Sequence, residues 1–285
     1  MQGYLIVNGF LRSDKYYGIY ELLTKAFHSC GVKLDLITSD RLNSKKDFPK
    51  APDFALFWDK DYYLADSLEK DGVKLFNSAL SVLYCDNKIL TYKKLTEAGV
   101  RVPKTLVAPK TFEGVNYCDL SFVDRAVEQL GLPMIIKEAY GSFGAQVYLA
   151  DTLNKAKEIV TKIAPKDFVF QQFIETSRGK DLRVNVVGGK VVATILRKND
   201  NDFRSNITLG GDMEPFILDK TQEKLAIKAC NALGLDFAGV DVLFGENGEP
   251  IICEVNSNPH FKTTLECMGV NLAEHIVKHI INKLC

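Results

Sequence analysis

Two apolar runs near the end of the chain carry acid where a strand would normally carry none. "FAGVDVLFG" sets Asp241 inside a β-branched stretch, and "PIICEVN" sets Glu254 and Asn256 inside the next. Side chains of a strand alternate between its faces, so Glu254 and Asn256, two positions apart, share one face. Gly248, in the polar segment between the runs, marks a hairpin, and the paired strands can then present Asp241, Glu254 and Asn256 to one point. Carboxylates in such a setting need partners. One solution is a hard cation: an all-oxygen set suits Mg²⁺, or Mn²⁺ in its place, with substrate phosphates completing the shell, whereas zinc would want Cys or His. The other is a structural network in which Asp241 and Glu254 pair with Lys or Arg.

The rest of the pattern is that of a mixed α/β chain. Residues 4–37 read as strand, helix and strand, with Gly31 as the helix stop, and "FALFW" (54–58) and "VKLFNSA" (73–79) add short apolar runs. A small open α/β domain is therefore expected over residues 1–83. It lacks G-x-G-x-x-G, so the dinucleotide fingerprint is missing. A second unit, residues 84–165, starts where Asp86 is placed to cap a helix ending at Gly99, and continues through "PMIIKEA", the loop "YGSFGAQ", the strand "VYLA" and a helix near 153–163. A third unit, residues 166–285, holds strands at "FVFQQFI", "LRVNVVG", "KVVATILRK", "GVDVLFG" and "PIICEVN", a helix near 221–233 and a last helix from Leu272.

Charge and cysteine usage narrow the partners. Lys plus Arg and Asp plus Glu both number 36, so no global basic field draws the chain to nucleic acid. Seven cysteines without C-x-x-C spacing fit a reducing cytoplasm, and the start "MQGYLIVNGF" reads as no signal peptide. No apolar segment approaches the length of a membrane span. An anion site, if present, is local.

"IIKEAYGSFGAQV" offers one, because Lys137 near a strand end precedes Gly141, Ser142 and Gly144, whose loop lets backbone N–H groups approach phosphate oxygens. It is not a Walker A loop, and a lone G-x-x-G is equally a simple turn. Lys88 and the "DFRSN" segment add further positive charge. His275 and His279, four apart on the last helix, lack a third ligand and read as ordinary helix positions. His260 just beyond the acidic strand, and Trp58, Asp59 and Asp61 at a strand end, are open between substrate contact and solvated loop.

The order of these pieces resembles the ATP-grasp superfamily, specifically its RimK-like carboxylate-amine ligases, the branch that includes the ribosomal-protein glutamate ligase. The resemblance runs over residues 84–285 and rests on "DNKILTYKKLTEAGVRVPKT", "MIIKEAYGSFG", "FVFQQFIE", "GKDLRVNVVGGKVVATI", "DFRSNITLGG", "FAGVDVLF" and "CEVNSNPHF". It implies an ATP-grasp fold, two lobes holding ATP between them behind the small α/β domain. It also implies amide formation through an acyl phosphate, with ADP and phosphate released, such as the addition of glutamate to a small molecule or peptide. A kinase acting on a hydroxyl and a non-catalytic nucleotide-binding module share the same fold.

By resemblance Lys88 and Lys137 contact ATP phosphates, and Gly141, Ser142 and Gly144 form the loop over them. Gln171, Gln172, Phe173 and Ile174 form the interlobe segment whose backbone reads adenine, and Asp181 contacts ATP. Arg204, Ser205 and Asn206 form the phosphate-side arm, and Asp241, Glu254 and Asn256 hold the metal. Arg183, Arg197 and Arg204 are candidates for binding a substrate carboxylate or the transferred phosphate, set against structural ion pairs. The implied partners are a carboxylate and an amine or amino acid; neither nucleic acid nor membrane is among them, and self-association into a homo-oligomer is compatible with the reading. Three departures stand out: Gln172 replaces a common glutamate, the loop reads "GSFGAQ" instead of "GxQGxG", and "SNPHF" replaces the "ASPG" of the glutamate-adding enzymes.

Overall fold

The structure is a computed structural model that describes residues 1–142, 144–205 and 210–285. The first sheet is parallel, in the order β2-β1-β3-β4, built from β1 (Gln2–Val7), β2 (Lys33–Thr38), β3 (Phe54–Trp58) and β4 (Leu75–Phe76). β1 and β3 are buried throughout, as expected of strands covered on both faces. One face packs against α2 (Tyr62–Lys70). On the other lies α1 (Asp14–Ser29), which turns Ile19, Leu23, Ala26 and Phe27 inward at helical spacing.

Two short helices follow, α3 (Ala79–Asp86) and α4 (Lys88–Glu97). The cap of α4 is Asn87, whose Oδ1 accepts from the amides of Ile89 and Leu90 at 3.0 and 3.1 Å. Asp86, the expected cap, instead ends α3 and pairs with Lys60. The second sheet is antiparallel, in the order β5-β8-β6-β7, with β5 (Thr105–Val107), α5 (Ser121–Leu130), β6 (Met134–Glu138), β7 (Val147–Ala150), α6 (Leu153–Ile163) and β8 (Phe168–Gln172). The third sheet, also antiparallel, runs β11-β10-β9-β12-β13 and is formed by β9 (Lys180–Val187), β10 (Lys190–Lys198), β11 (Asp212–Pro215), β12 (Phe237–Phe244) and β13 (Pro250–Asn256). Its helices are α7 (Lys220–Ala232), α8 (Lys262–Met268) and α9 (Leu272–Leu284).

These pairings move the boundaries read from the sequence at 83/84 and 165/166. The strand at 168–172 belongs to the second sheet, hydrogen-bonded on both sides to β5 and β6. Residues 85–100 join the third unit instead: Cys85, Leu95 and Val100 share a core with Ala226, Ala229 and Leu233 of the α7 region. The first unit is not closed by its own residues either, since Leu272, Ile276 and Ile280 of α9 and Phe237 of β12 pack into its α1-side core. Chain order could not reveal this, because non-local packing determines which sheet buries which strand.

Asn77 is the polar link across that junction. Fully buried, it receives the amides of Asp236 and Phe237 on Oδ1 and donates through Nδ2 to the carbonyls of Phe237 and Ser257, at 2.7 to 3.3 Å. Asn77→Leu should lower stability by about 3 kcal/mol in urea unfolding, since it strands several buried backbone groups at once. Nearby, Asp236 ties α9 to the sheet through His279 and Lys283, both at 2.6 Å, so His279 is a hydrogen-bond partner of a buried carboxylate and not the ordinary helix position expected. Burial works against the Asp236 charge, but the hydrogen bonds from His279 and Lys283 outweigh it and hold the carboxyl below its usual range. A depressed folded value contributes stability above the unfolded value, about 3.9, and loses it as pH falls through the folded one. The melting-temperature gap between wild type and Asp236→Asn is therefore expected to be wide at neutral pH and to close in strong acid.

Candidate active site

The second and third sheets face each other across a cleft, and the third sheet turns two chemically different faces. Leu182, Val184, Val186, Val240 and Val242 point to the α7 core. The alternate positions Asp181, Arg183 and Asp241 therefore point to the cleft. Register completes the arrangement: Arg183 lies opposite Asp241, Asp181 opposite Arg197, and Asp241 opposite Glu254. Arg183 grips Asp241 through Nε and Nη2 at 2.5 and 3.1 Å, Arg197 grips Asp181 through the same atoms at 2.7 and 2.5 Å, and Arg197 also reaches Asp241 at 3.1 Å. Gly239 makes room for this, because a Cβ there would stand 3.1 Å from Arg183 Nη1.

Two acids and two arginines thus neutralise one another inside the sheet. For both Asp241 and Arg197 burial disfavours the charge, but the opposite charges around them win: Arg183 and Arg197 hold the Asp241 carboxyl below its usual range, and Asp181 and Asp241 hold Arg197 above its own. Three expectations change as a result. Asp181, expected to contact ATP, has both oxygens engaged by Arg197 at the wall of the cleft. Arg183 and Arg197 form the ion pairs that were set beside a substrate role, because unpaired they would leave Asp241 and Asp181 as buried anions. Asp241, expected as a metal ligand, takes part in the ion-pair network.

A bulge shapes the acidic edge. Pairing between β12 and β13 shifts after Asp241, leaving Cys253 as the extra residue. Ile252 and Val255, three apart, consequently both enter the α7 core, while Cys253 and Glu254 line the cleft. No described residue hydrogen-bonds or ion-pairs with the Glu254 carboxylate. Among the described residues no three His, Cys, Asp or Glu side chains form a metal cage. The oxygens of Glu254 and Asn256, with Asp241 held beside them by Arg183 and Arg197, fit Mg²⁺ in the manner of a site that depends on substrate phosphates for the rest of its shell.

Across the cleft stand the cations. Lys137 projects from β6, nearly buried, with Nζ 3.5 Å from Cys253 Sγ. Three others hold the glycine loop: Lys88 donates to the Gly141 carbonyl at 3.1 Å, Lys60 to Ser142 Oγ at 3.0 Å, and Arg204 to the Gly144 carbonyl at 2.6 Å. Burial pulls the Lys88 ammonium below the usual lysine range. Arg204 is braced by Asp202 at 2.7 and 2.9 Å, with the buried Ser205 following it. Asn206, the remaining expected member of this arm, lies outside the described residues. Lys60 escaped the sequence reading; its only signal was a lysine at the β3 end, between Asp59 and Asp61.

The other end of the cleft is apolar. Ile135, Val147, Phe173, Ile195, Phe203 and Leu243 line a slot between the sheets, and residues 171–174 run along its edge where the chain passes from one lobe to the other. Gln171 is buried on Thr105 Oγ1 at 2.9 Å, and the Gln172 amide is bonded to the Lys104 carbonyl at 2.8 Å. The whole cavity is about 670 Å³ and reaches the first unit at Tyr20, Trp58 and Asp59. A flat apolar slot leading to a cationic end opposite carboxylates matches a nucleotide with its phosphates.

A family model for the RimK-like ATP-grasp domain matches residues 85–280. The chain belongs to the RimK-like ATP-grasp family. It is 33% identical over 266 residues to the uncharacterized MG012 homolog of Mycoplasma pneumoniae, covering 91% of this chain and 92% of that protein. It is 36% identical over 205 residues to human N-acetylaspartylglutamate synthase A, covering 71% of this chain and 51% of the synthase, so it spans about half the length of that relative. The RimK domain protein of Sphaerobacter thermophilus has the same fold, with a TM-score of 0.74 at 22% identity and coverage of 98% and 99% of the two chains. The expected ATP-grasp fold with its preceding α/β domain is thus the one observed, and its class is that of ATP-dependent carbon–nitrogen ligases.

The charge network carries a prediction of its own. Arg197→Met should destabilise the protein by about 3 kcal/mol or more in chemical unfolding, because it leaves buried Asp181 without its partner. The double variant Arg197→Met with Asp181→Leu should recover a large part of that loss.

Proposed function

We propose that the protein joins a carboxylate to an amine at the expense of ATP, through an acyl phosphate, and that it adds an amino acid such as glutamate to a small-molecule or peptide acid. The observation that carries this reading is the cleft itself: an apolar slot ends where Lys137, Lys88 and Arg204 stand opposite Glu254, Asn256 and Asp241. The names of relatives such as N-acetylaspartylglutamate synthase A support the choice of amino acid. Seven free cysteines favour a reducing cytoplasm as its setting.

In the first step a substrate carboxylate oxygen bonds to the γ-phosphorus while the bond to the β-phosphate oxygen breaks, and ADP leaves. In the second the amine first gives up one proton of its ammonium form to a neighbouring base, the nitrogen bonds to the acyl carbon, phosphate departs with the bonding electrons, and the nitrogen loses a second proton. Lys137, Lys88 and Arg204 supply fixed positive charge where phosphate charge gathers, already oriented by the loop carbonyls and Asp202. Glu254, Asn256 and Asp241 would hold Mg²⁺, or Mn²⁺, which when bound offsets phosphate charge during transfer. The Asp181, Arg183, Asp241 and Arg197 network keeps those ligands in position. Enclosure between two sheets limits water that would hydrolyse the acyl phosphate.

Glu254→Gln is expected to abolish ADP release with every productive carboxylate and amine pair, while the melting temperature without nucleotide stays that of wild type. Retained turnover would sink the metal assignment. Lys137→Met should weaken nucleotide binding about tenfold by calorimetry, the effect of one lost charge-assisted contact. ADP release without an amide product in mass spectrometry would redirect the reading to a kinase.

A further inference from the structure

Buried polar atoms without partners are rare in a folded chain, and each calls for an explanation. Five side-chain atoms are of this kind among the described residues, and three of them, Asp59 Oδ2, Asn258 Oδ1 and His260 Nε2, belong to residues that line the cleft. The three residues meet at the seam between the first unit and the third sheet. Asn258 donates to the Asp59 carbonyl at 2.9 Å, and His260 hydrogen-bonds the backbone of Lys15, in α1.

All three orphaned atoms are hydrogen-bond acceptors. Asp59 has its other oxygen occupied by Asn8 Nδ2 at 3.2 Å and the Lys60 amide at 2.7 Å, so Oδ2 is left to accept. Asn258 has its nitrogen committed and its oxygen open. Burial, foremost, pulls His260 down to about 4, so the ring is neutral at physiological pH. The Lys15 carbonyl takes its Nδ1 proton, which leaves Nε2 with a lone pair. Acceptors with no donor among them call for a ligand that brings only donors.

We propose that Asp59, Asn258 and His260 form the subsite for the protonated amino group of the amine substrate, an amino acid held by its ammonium. An ammonium brings three N–H donors, matching three open acceptors, and its positive charge suits the Asp59 carboxylate. The location agrees with this role. Asn258 lies two residues beyond Asn256, and Lys60, next to Asp59, touches Ser142 of the glycine loop at 3.0 Å. The bound amine therefore lies beside the phosphate end of the cleft, where the acyl phosphate would form. This assignment deepens the ligase reading and rests on it. It also gives the "SNPHF" departure a purpose, since Asn258 and His260 are two of its residues.

The test measures binding without turnover. The full chain, saturated with Mg²⁺ and the non-hydrolysable analogue AMPPNP, is titrated calorimetrically with each of the twenty protein amino acids in turn, and every binder is compared with its des-amino acid. At least one amino acid should bind, its des-amino counterpart should bind at least tenfold more weakly, and Asp59→Asn should weaken the amino acid at least tenfold without changing AMPPNP affinity. Asn258→Leu, which removes one acceptor but no charge, should act in the same direction and guards against misfolding of the Asp59 variant. The subsite is overturned if no amino acid binds, if the des-amino acid binds equally, or if both variants bind the amino acid as wild type does. A failure of the ligase reading would register elsewhere, as an absence of ADP release and of acyl hydroxamate when hydroxylamine is offered with candidate carboxylates.

Discussion

The four-charge network of Asp181, Arg183, Asp241 and Arg197 is the constraint around which the cleft is organised. Each acid and each arginine alone would be a charge inside the sheet without a counter-ion, which is costly. Because all four sit on one face of β9, β10 and β12, they hold that face polar while its reverse packs on α7. Glu254 then adjoins the network across the register, with no hydrogen-bonding or ion-pair partner among the described residues, and lines the cleft.

The first unit completes the cavity and does not merely precede it. Trp58 at the end of β3 stacks on Phe237 with ring centroids 5.4 Å apart and meets Phe261 edge-on at 6.1 Å. Helix α9 closes the core beneath, and Asn77 joins the backbones across the seam. Asp59 follows directly on Trp58, so the packing that fuses the units also sets a carboxylate at the wall of the cleft. Lys60 extends this link to the glycine loop. The nucleotide half of the cavity thus comes from the two facing sheets, and the other half from a junction between residues nearly 200 positions apart, as Asn258 and Asp59 are.

Legibility followed the range of the interaction. Strand β3 and helix α6 were read residue for residue, since an apolar run between polar flanks and a 3.6-residue period are local signals. The grouping of Asp241, Glu254 and Asn256 on one face was also readable, because alternation along a strand and a glycine turn suffice. The bulge at Cys253 was not: it depends on the register with β12, and without it Ile252 would share the face of Glu254. Strand β8 was assigned to the wrong unit for the same kind of reason, its neighbours being β5 and β6, which are far away in the chain. Lys60 had no signature beyond a lysine at a strand end.

The residues themselves pointed to the chemistry available: an all-oxygen set in Asp241, Glu254 and Asn256, a glycine loop near a lysine, no global field for nucleic acid, and a family resemblance carried by spaced motifs. Pairing and burial then assigned that chemistry to particular atoms. That Arg183 meets Asp241, that Arg197 engages Asp181, and that Asp59 is buried and not a solvated loop residue all depend on what lies across a sheet or a seam. Electrostatic energy depends on distance and on exclusion of water, and neither quantity exists for a chain until it has folded.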